Sequence, residues 1–151
     1  MNFQNQNPNY RGIAPSILAH ISNCEQQYRQ LVHCSTRCQL LQAYLSAAAY
    51  AIDNAAFADA YAWFQKIAAV AEEGVRNEPC FYSNWDGAVT ALNYARFLRD
   101  HKETVAARSS YKKAAAYLEQ IIDEKMENPE PNCNPAALLK DIYAELASLN
   151  S

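Results

Sequence analysis

The chain has 151 residues, of which 50% are apolar, 19% charged and 11% aromatic, with a formal net charge of −3 at pH 7. This composition excludes disorder over most of the chain, because disordered segments combine low hydrophobicity with high net charge. Three glycines against 27 alanines predict an all-α fold, since alanine is the best helix former and glycine is typical of tight turns.

Composition also restricts the compartment and the partners. No apolar run reaches the roughly 20 residues that a membrane-spanning helix needs, and the N-terminus lacks the basic and apolar regions of a secretory signal. Five cysteines, an odd number, are typical of reduced thiols, so we expect a cytoplasmic protein. The slightly acidic charge balance makes free nucleic acid an unfavourable partner.

The first part of the chain is expected to be a flexible arm over residues 1–14, followed by a single helical domain over 15–151. The arm is rich in asparagine and glutamine, and a helical period of apolar residues begins after Pro15. We expect a break near Ser35 and a second helix over 37–53, because helices longer than about 25 residues are uncommon in small domains. One continuous helix is the alternative.

The middle of the chain is predicted to hold two more helices with a long loop between them. The third helix covers residues 55–73, with Gly74 as the residue that ends it. Residues 75–85 are predicted to form a loop. Asp86 then caps a fourth helix over 87–100, because aspartate is a favoured N-cap residue.

The last part is predicted to contain a fifth helix over 103–127 and a rigid proline-containing loop. Asn134 as N-cap and Pro135 at the first helical position then start a final helix that ends near Leu149. The whole chain is therefore predicted to form five or six antiparallel helices.

Residues 41–74 resemble residues 88–121 at a shift of 47 positions. The repeat predicts two helical hairpins of similar shape, in which small residues let the two helices approach closely and an aromatic residue fills the space where they diverge. The matched pairs are Ala48 with Ala95, Ala60 with Ala107, and Phe64 with Tyr111.

These hairpins resemble tetratricopeptide repeats, whose two helices carry small and bulky residues at set positions. The first unit offers Tyr44, Ala48, Ala51, Ala60, Phe64 and Ile67, and the second offers Ala91, Ala95, Leu98, Ala107, Tyr111 and Ala114. There are three departures. Alanine stands at the family's glycine position in both units, Glu72 and Glu119 stand where the family has proline, and the spacing is longer than 34 residues. The resemblance covers about half of the chain and implies a final capping helix and a concave peptide-binding face. The alternative is a helical bundle with closely packed alanines.

A basic cluster lies in the second hairpin, followed by an acidic stretch over residues 119–130. If the hairpins are repeat-like, a set of polar side chains faces the concave side and can bind the carboxylates of an acidic protein segment. The predicted partner-binding residues of this set are Gln42, Asp53, Asn93, Arg96 and Arg99. The alternative is that these side chains form an ordinary solvated face.

Three aromatic residues of the predicted loop, Phe81, Tyr82 and Trp85, form the second candidate site. Exposed aromatic side chains commonly anchor protein interfaces. The alternative is that the loop folds back and these residues complete the core.

Cys24, Cys34 and Cys38 define an alternative function, a ligand- or metal-sensing helical bundle. A zinc site needs four ligands around the ion, and positions spread along one helix do not converge unless other elements contribute. Buried cysteines in a helix seam are the simpler interpretation.

The sequence contains none of the phosphate-binding, metalloprotease or serine-hydrolase motifs. We therefore predict a non-catalytic protein-interaction module without a cofactor, acting as an adaptor, a chaperone-like protein, or an inhibitory or accessory subunit.

Overall fold

The computed structural model describes residues 13–149, which form six α-helices and no strand. The all-α prediction is therefore confirmed. The helices are α1 (Pro15–Gln30), α2 (Cys34–Asp53), α3 (Phe57–Asn77), α4 (Phe81–Asp100), α5 (Thr104–Asp123) and α6 (Pro135–Ser148). None of these helices is both long and apolar enough to cross a membrane. The predicted arm lies outside the described residues except for its last two, of which Ile13 is buried.

The described chain divides into two compact units, residues 13–72 and 73–149, with the boundary inside α3. In the first unit α1 packs against α2, and the rings of Tyr44 on α2 and Trp63 on α3 lie 5.5 Å apart. In the second unit α5 packs against both α4 and α6. Ala107 and Tyr111 of α5 are completely buried there.

The starts of α2 and α4 share the same hydroxyl hydrogen bonds. The backbone N–H of His33 donates to the Thr36 hydroxyl at 3.2 Å, and at the same positions of the second hairpin Cys80 donates to Ser83 at 3.0 Å. Each hydroxyl in turn donates to the carbonyl oxygen of the residue five positions earlier, at 2.6 Å and 2.9 Å respectively. A hydroxyl at the third helical position therefore closes both helix starts.

The turns inside the two hairpins are also the same. Ala55 (φ 56°) and Lys102 (φ 64°) both adopt the left-handed conformation. The N–H of each next residue bonds to the carbonyl oxygen five positions earlier, Ala56 to Ala51 at 2.8 Å and Glu103 to Leu98 at 2.9 Å. This is the Schellman helix ending, here formed without glycine. The predicted pair of similar hairpins is present, with matching helix starts and turns.

Several predicted boundaries are wrong in the middle of the chain. Helix α3 continues through Gly74 to Asn77, and α4 begins at Phe81, so the predicted loop over 75–85 is mostly helical. The helix break comes instead at Pro79, which lacks the N–H that a helix interior needs and disfavours helical backbone in the residue before it. The predicted cap Asp86 consequently lies inside α4.

The remaining boundaries agree closely with expectation. The break between the first two helices is confirmed, with α2 beginning at Cys34. The fifth helix ends at Asp123, four residues before the predicted end. The final helix is confirmed, and the Asn134 side chain accepts a hydrogen bond of 3.1 Å from the Ala137 N–H.

We expect Ala60→Leu and Ala107→Leu each to destabilise the protein. Both alanines are completely buried, and overpacking a filled core typically costs about 1–3 kcal/mol. Thermal melting followed by circular dichroism measures the effect. Ala69→Leu and Ala116→Leu are matched controls on the same helices, because both positions are exposed and a leucine there meets no packed neighbour. Equal melting of the buried and exposed variants would contradict close helix packing at these alanines.

Gly87 marks a second close contact, between α4 and α5. A Cβ atom at this position would lie 3.0 Å from the ring of Tyr117, which is tighter than normal carbon contact. The equivalent positions of the first hairpin are Leu40 and Val70. At these two positions the second hairpin has a small residue and a large one. The first hairpin has two aliphatic residues of intermediate size.

We expect Gly87→Leu to destabilise the protein by about 1–3 kcal/mol through overpacking against Tyr117. Tyr117→Val should recover part of that loss when combined with it, because the smaller side chain frees the space that the leucine needs. Urea unfolding of the two single variants and the double variant gives the coupling energy. Additive effects would show that these two positions do not share space.

Candidate functional site

The carboxylate of Glu145 on α6 is held by three side chains of α4 and α5. Arg96 binds it through two hydrogen bonds, from Nε to Oε1 at 3.0 Å and from its terminal nitrogen to Oε2 at 2.7 Å. A terminal nitrogen of Arg99 donates to Oε1 at 3.1 Å, and the Tyr111 hydroxyl donates to the same oxygen at 3.0 Å. We call Arg96, Arg99 and Tyr111 the carboxylate cradle.

The electrostatics of the cradle favour an anion. The hydrogen bond from Arg96 holds the pKa of Glu145 below its ordinary value, and burial alone would raise it. Burial and the hydrogen bond to Glu145 raise the pKa of Tyr111, so its hydroxyl stays a donor. The Glu145 side chain is 22% exposed. A charged acceptor with paired donors in such a position makes hydrogen bonds stronger than those between neutral groups.

Helix α6 brings Glu145 to the cradle through a narrow apolar face. Ile142 of this helix is completely buried, and Leu138, Leu139 and Leu146 are half-buried. These positions recur at spacings of three and four, so they share one side of the helix with Glu145. The opposite side, which includes Lys140 and Ala144, is exposed.

The structure gives Arg96 and Arg99 a partner within the chain. Both were predicted to bind a carboxylate of another protein, whereas here both bind Glu145. Sequence reasoning missed Glu145, although one signal was available. It is a single acidic residue three positions after Ile142 on the apolar face of the last helix, where an ion-pair partner is expected.

The other predicted polar residues stay on exposed helix surfaces. Gln42 and Asp53 are exposed on α2, and Asn93 is exposed on α4. The Gln42 side chain donates to the Cys38 sulfur at 3.6 Å, and the Asn93 side chain donates to the Val89 carbonyl at 2.9 Å. Their role in binding a partner stays a prediction.

The predicted aromatic loop is instead the first part of α4. Phe81 is buried and stacks on Trp85 with ring centroids 5.7 Å apart, because residues four apart lie on one side of a helix. Tyr82 packs edge-on against Phe81 at 5.9 Å and donates to Glu130 at 3.1 Å. Tyr82 and Trp85 are half-buried, so they are less exposed than the predicted loop implied.

The three cysteines of the alternative function lie on two helices. Cys24 of α1 is buried beside His20, at 3.8 Å from its ring nitrogen, and burial raises the pKa of its thiol. Cys34 and Cys38 lie on α2 and are half-buried. Among the described residues, no group of three close histidine, cysteine or acidic side chains contains more than one of these cysteines. The structure therefore does not gather these three cysteines into one cluster.

In the first unit a carboxylate also attaches the flanking helix, α1, to the hairpin. Glu25 of α1 accepts a hydrogen bond of 2.8 Å from the Tyr44 hydroxyl and lies 3.6 Å from the Lys66 ammonium. The Lys66 nitrogen also lies 5.4 Å from the centre of the Tyr44 ring. A tyrosine hydroxyl and a cation thus hold an acidic side chain of the flanking helix in each unit.

Comparison of the chain with protein-family models, with curated proteins and with solved structures gave no match.

We expect the Glu145 contacts to stabilise the protein at neutral pH and to fail in acid. Because the folded-state pKa is lowered, the contribution is complete above the ordinary carboxyl value of about 4.3 and is lost as the pH falls through the lowered pKa. The charged and titratable groups that affect the pKa of Glu145 are Arg96, Arg99 and Tyr111. Asp141 contributes indirectly, because its charge affects the pKa of Arg96.

Melting of the wild type and of Glu145→Gln at a series of pH values measures this contribution. The wild type should be more stable at pH 7 by about 1.5–3 kcal/mol, the range for hydrogen bonds to charged groups, and the difference should close in acid. A difference that does not change with pH would contradict an ionised Glu145 as its source.

Proposed function

We propose that this chain is a non-catalytic protein-interaction module, an adaptor or accessory subunit, that binds its partner through the exposed face of α4. The observation that carries the proposal is the repetition of the hairpin scaffold combined with different residues at its exposed positions. The hydroxyl bonds at the helix starts and the backbone bonds of the turns recur in both hairpins. Repeated helical units of this kind serve to present binding surfaces.

The exposed positions of the two first helices differ strongly in chemistry. Ser46 and Ala49 on α2 correspond to Asn93 and Arg96 on α4, and all four are exposed. A scaffold that needed these positions only for solubility would place no constraint on which of them carry guanidinium or amide groups. The face of α4 can hydrogen-bond carboxylates, because Arg96 already holds one in bidentate geometry. The expected partner is therefore a protein with an acidic segment.

The test is co-purification from the native host with two matched variants. Asn93→Glu, the face variant, adds a negative charge to the proposed face of α4, which repels an acidic segment. Ser109→Glu, the control variant, makes the same change at an exposed position of α5. We expect the face variant to lose at least tenfold in affinity for the partner that the wild type retains, which corresponds to about 1.4 kcal/mol. The control variant should keep it.

Two results would contradict the proposal. If both variants retain the partner equally, the exposed face of α4 is not the binding site. If both lose it equally, the effect is not specific to that face. The zinc content of the purified protein is measured in the same preparation. Stoichiometric zinc would favour the metal-sensing alternative built on Cys24, Cys34 and Cys38.

A further inference from the structure

We propose that the carboxylate cradle is a receptor for an acidic amphipathic helix of a partner protein, and that α6 is its tethered, displaceable occupant. The inference rests on the proposed function, because Arg96 and Arg99 belong to the proposed face of α4. It adds the kind of partner that the face takes and the element of this chain that competes with it.

Two of the three side chains of the cradle are joined to each other without α6. Arg99 donates to the Tyr111 hydroxyl at 3.2 Å and to the carboxylate of its neighbour Asp100 at 3.2 Å. All three donors belong to α4 and α5, and the carboxylate that they bind is supplied by a separate helix, α6.

Helix α6 binds its unit in the manner of a helical peptide in a groove. One isoleucine is completely buried, half-buried leucines flank it at helical spacing, and one carboxylate enters the cradle three residues later. Partner helices are recognised through this pattern of anchors at spacings of three and four. Any helix with an apolar anchor and a carboxylate three positions further on offers the same contacts.

The connection to α6 permits exchange. Eleven residues, 124–134, lie between α5 and α6, and most of them are exposed. Two of its hydrogen bonds, from Asn128 to Cys133 at 2.7 Å and from Glu130 to Asn128 at 2.9 Å, are internal to it. Two more come from α4, from Tyr82 to Glu130 at 3.1 Å and from Asn84 to the Met126 sulfur at 3.7 Å. The side of α6 that carries Lys140 and Ala144 is exposed. An external helix therefore has to replace the contacts of Ile142, of the half-buried leucines, of Glu145 and of Tyr143, whose hydroxyl donates to Glu119.

The strength of this competition can be estimated. A short flexible tether gives an effective concentration of about 1 mM. If a helix of this kind binds the cradle with a Kd of about 0.1 mM, the tethered α6 weakens an external helix roughly tenfold. Weakening the tethered helix tenfold would leave about a twofold penalty, so an external helix would gain roughly fivefold.

The experiment measures binding of a fluorescent peptide with the sequence of residues 135–149 to the full-length chain. The chains are the wild type, Glu145→Gln, and Glu145→Gln combined with Arg96→Gln and Arg99→Gln. We expect the Glu145→Gln chain to bind the peptide about fivefold more tightly than the wild type. The triple variant should bind at least tenfold more weakly than Glu145→Gln. A peptide with glutamine at the Glu145 position should bind the Glu145→Gln chain as weakly as the unchanged peptide binds the triple variant.

Amide hydrogen exchange of the wild-type chain gives a second measurement that needs no variant. Excess unlabelled peptide should reduce the protection of the α6 amides and leave α4 and α5 protected. The glutamine-containing peptide should not have this effect. Circular dichroism of each variant establishes that it is folded before its binding is interpreted.

Three results would overturn the inference. These are equal peptide binding by the wild type and Glu145→Gln, equal binding by Glu145→Gln and the triple variant, and unchanged α6 protection in excess peptide. A concentration-dependent dimer that the peptide dissociates would assign the cradle to α6 of a second copy and would also overturn it. Loss of the native partner in the face variant, together with failed peptide binding, would leave the proposed function standing.

Discussion

The tight turn inside each hairpin is the constraint on which the rest of the structure depends. Three residues join the two helices. One of them, Ala55 or Lys102, adopts the left-handed conformation, so the chain reverses direction within the turn. Helices connected so closely must pack along their length, which demands small residues at the contact. Ala60 and Ala107, both completely buried, meet that demand. The high alanine content therefore follows from the hairpin geometry as well as from helix propensity.

The flanking helices are attached by a different kind of contact. Glu25 of α1 and Glu145 of α6 each receive a tyrosine hydroxyl and a cationic side chain from the hairpin of their own unit. Such contacts are directional and depend on ionisation, whereas alanine packing depends on neither. In α6 the carboxylate contact adds to the packing of Ile142, which is completely buried.

The fold was largely accessible from the sequence, and the errors have clear causes. The helix break near Ser35, the start of α6 and the similarity of the two hairpins were predicted from local residue chemistry, and all three are present. The predicted loop after Gly74 is wrong, because glycine and clustered aromatic residues are typical of loops but do not by themselves end a helix. Helix α3 passes through this glycine in a buried position, and Pro79 is the actual breaker. The aromatic residues stack along the first turns of α4.

The sequence by itself determined the helices, because caps, proline positions and apolar periodicity act over a few residues. It also identified Arg96 and Arg99 as a carboxylate-binding pair, since their shared helix face follows from a spacing of three. Only the tertiary structure decided which carboxylate they bind. Glu145 lies 46 residues from Arg99 along the chain, and no local pattern encodes that distance. Packing of α6 against α5 brings them together, and that packing arises from the combined shape of several helices.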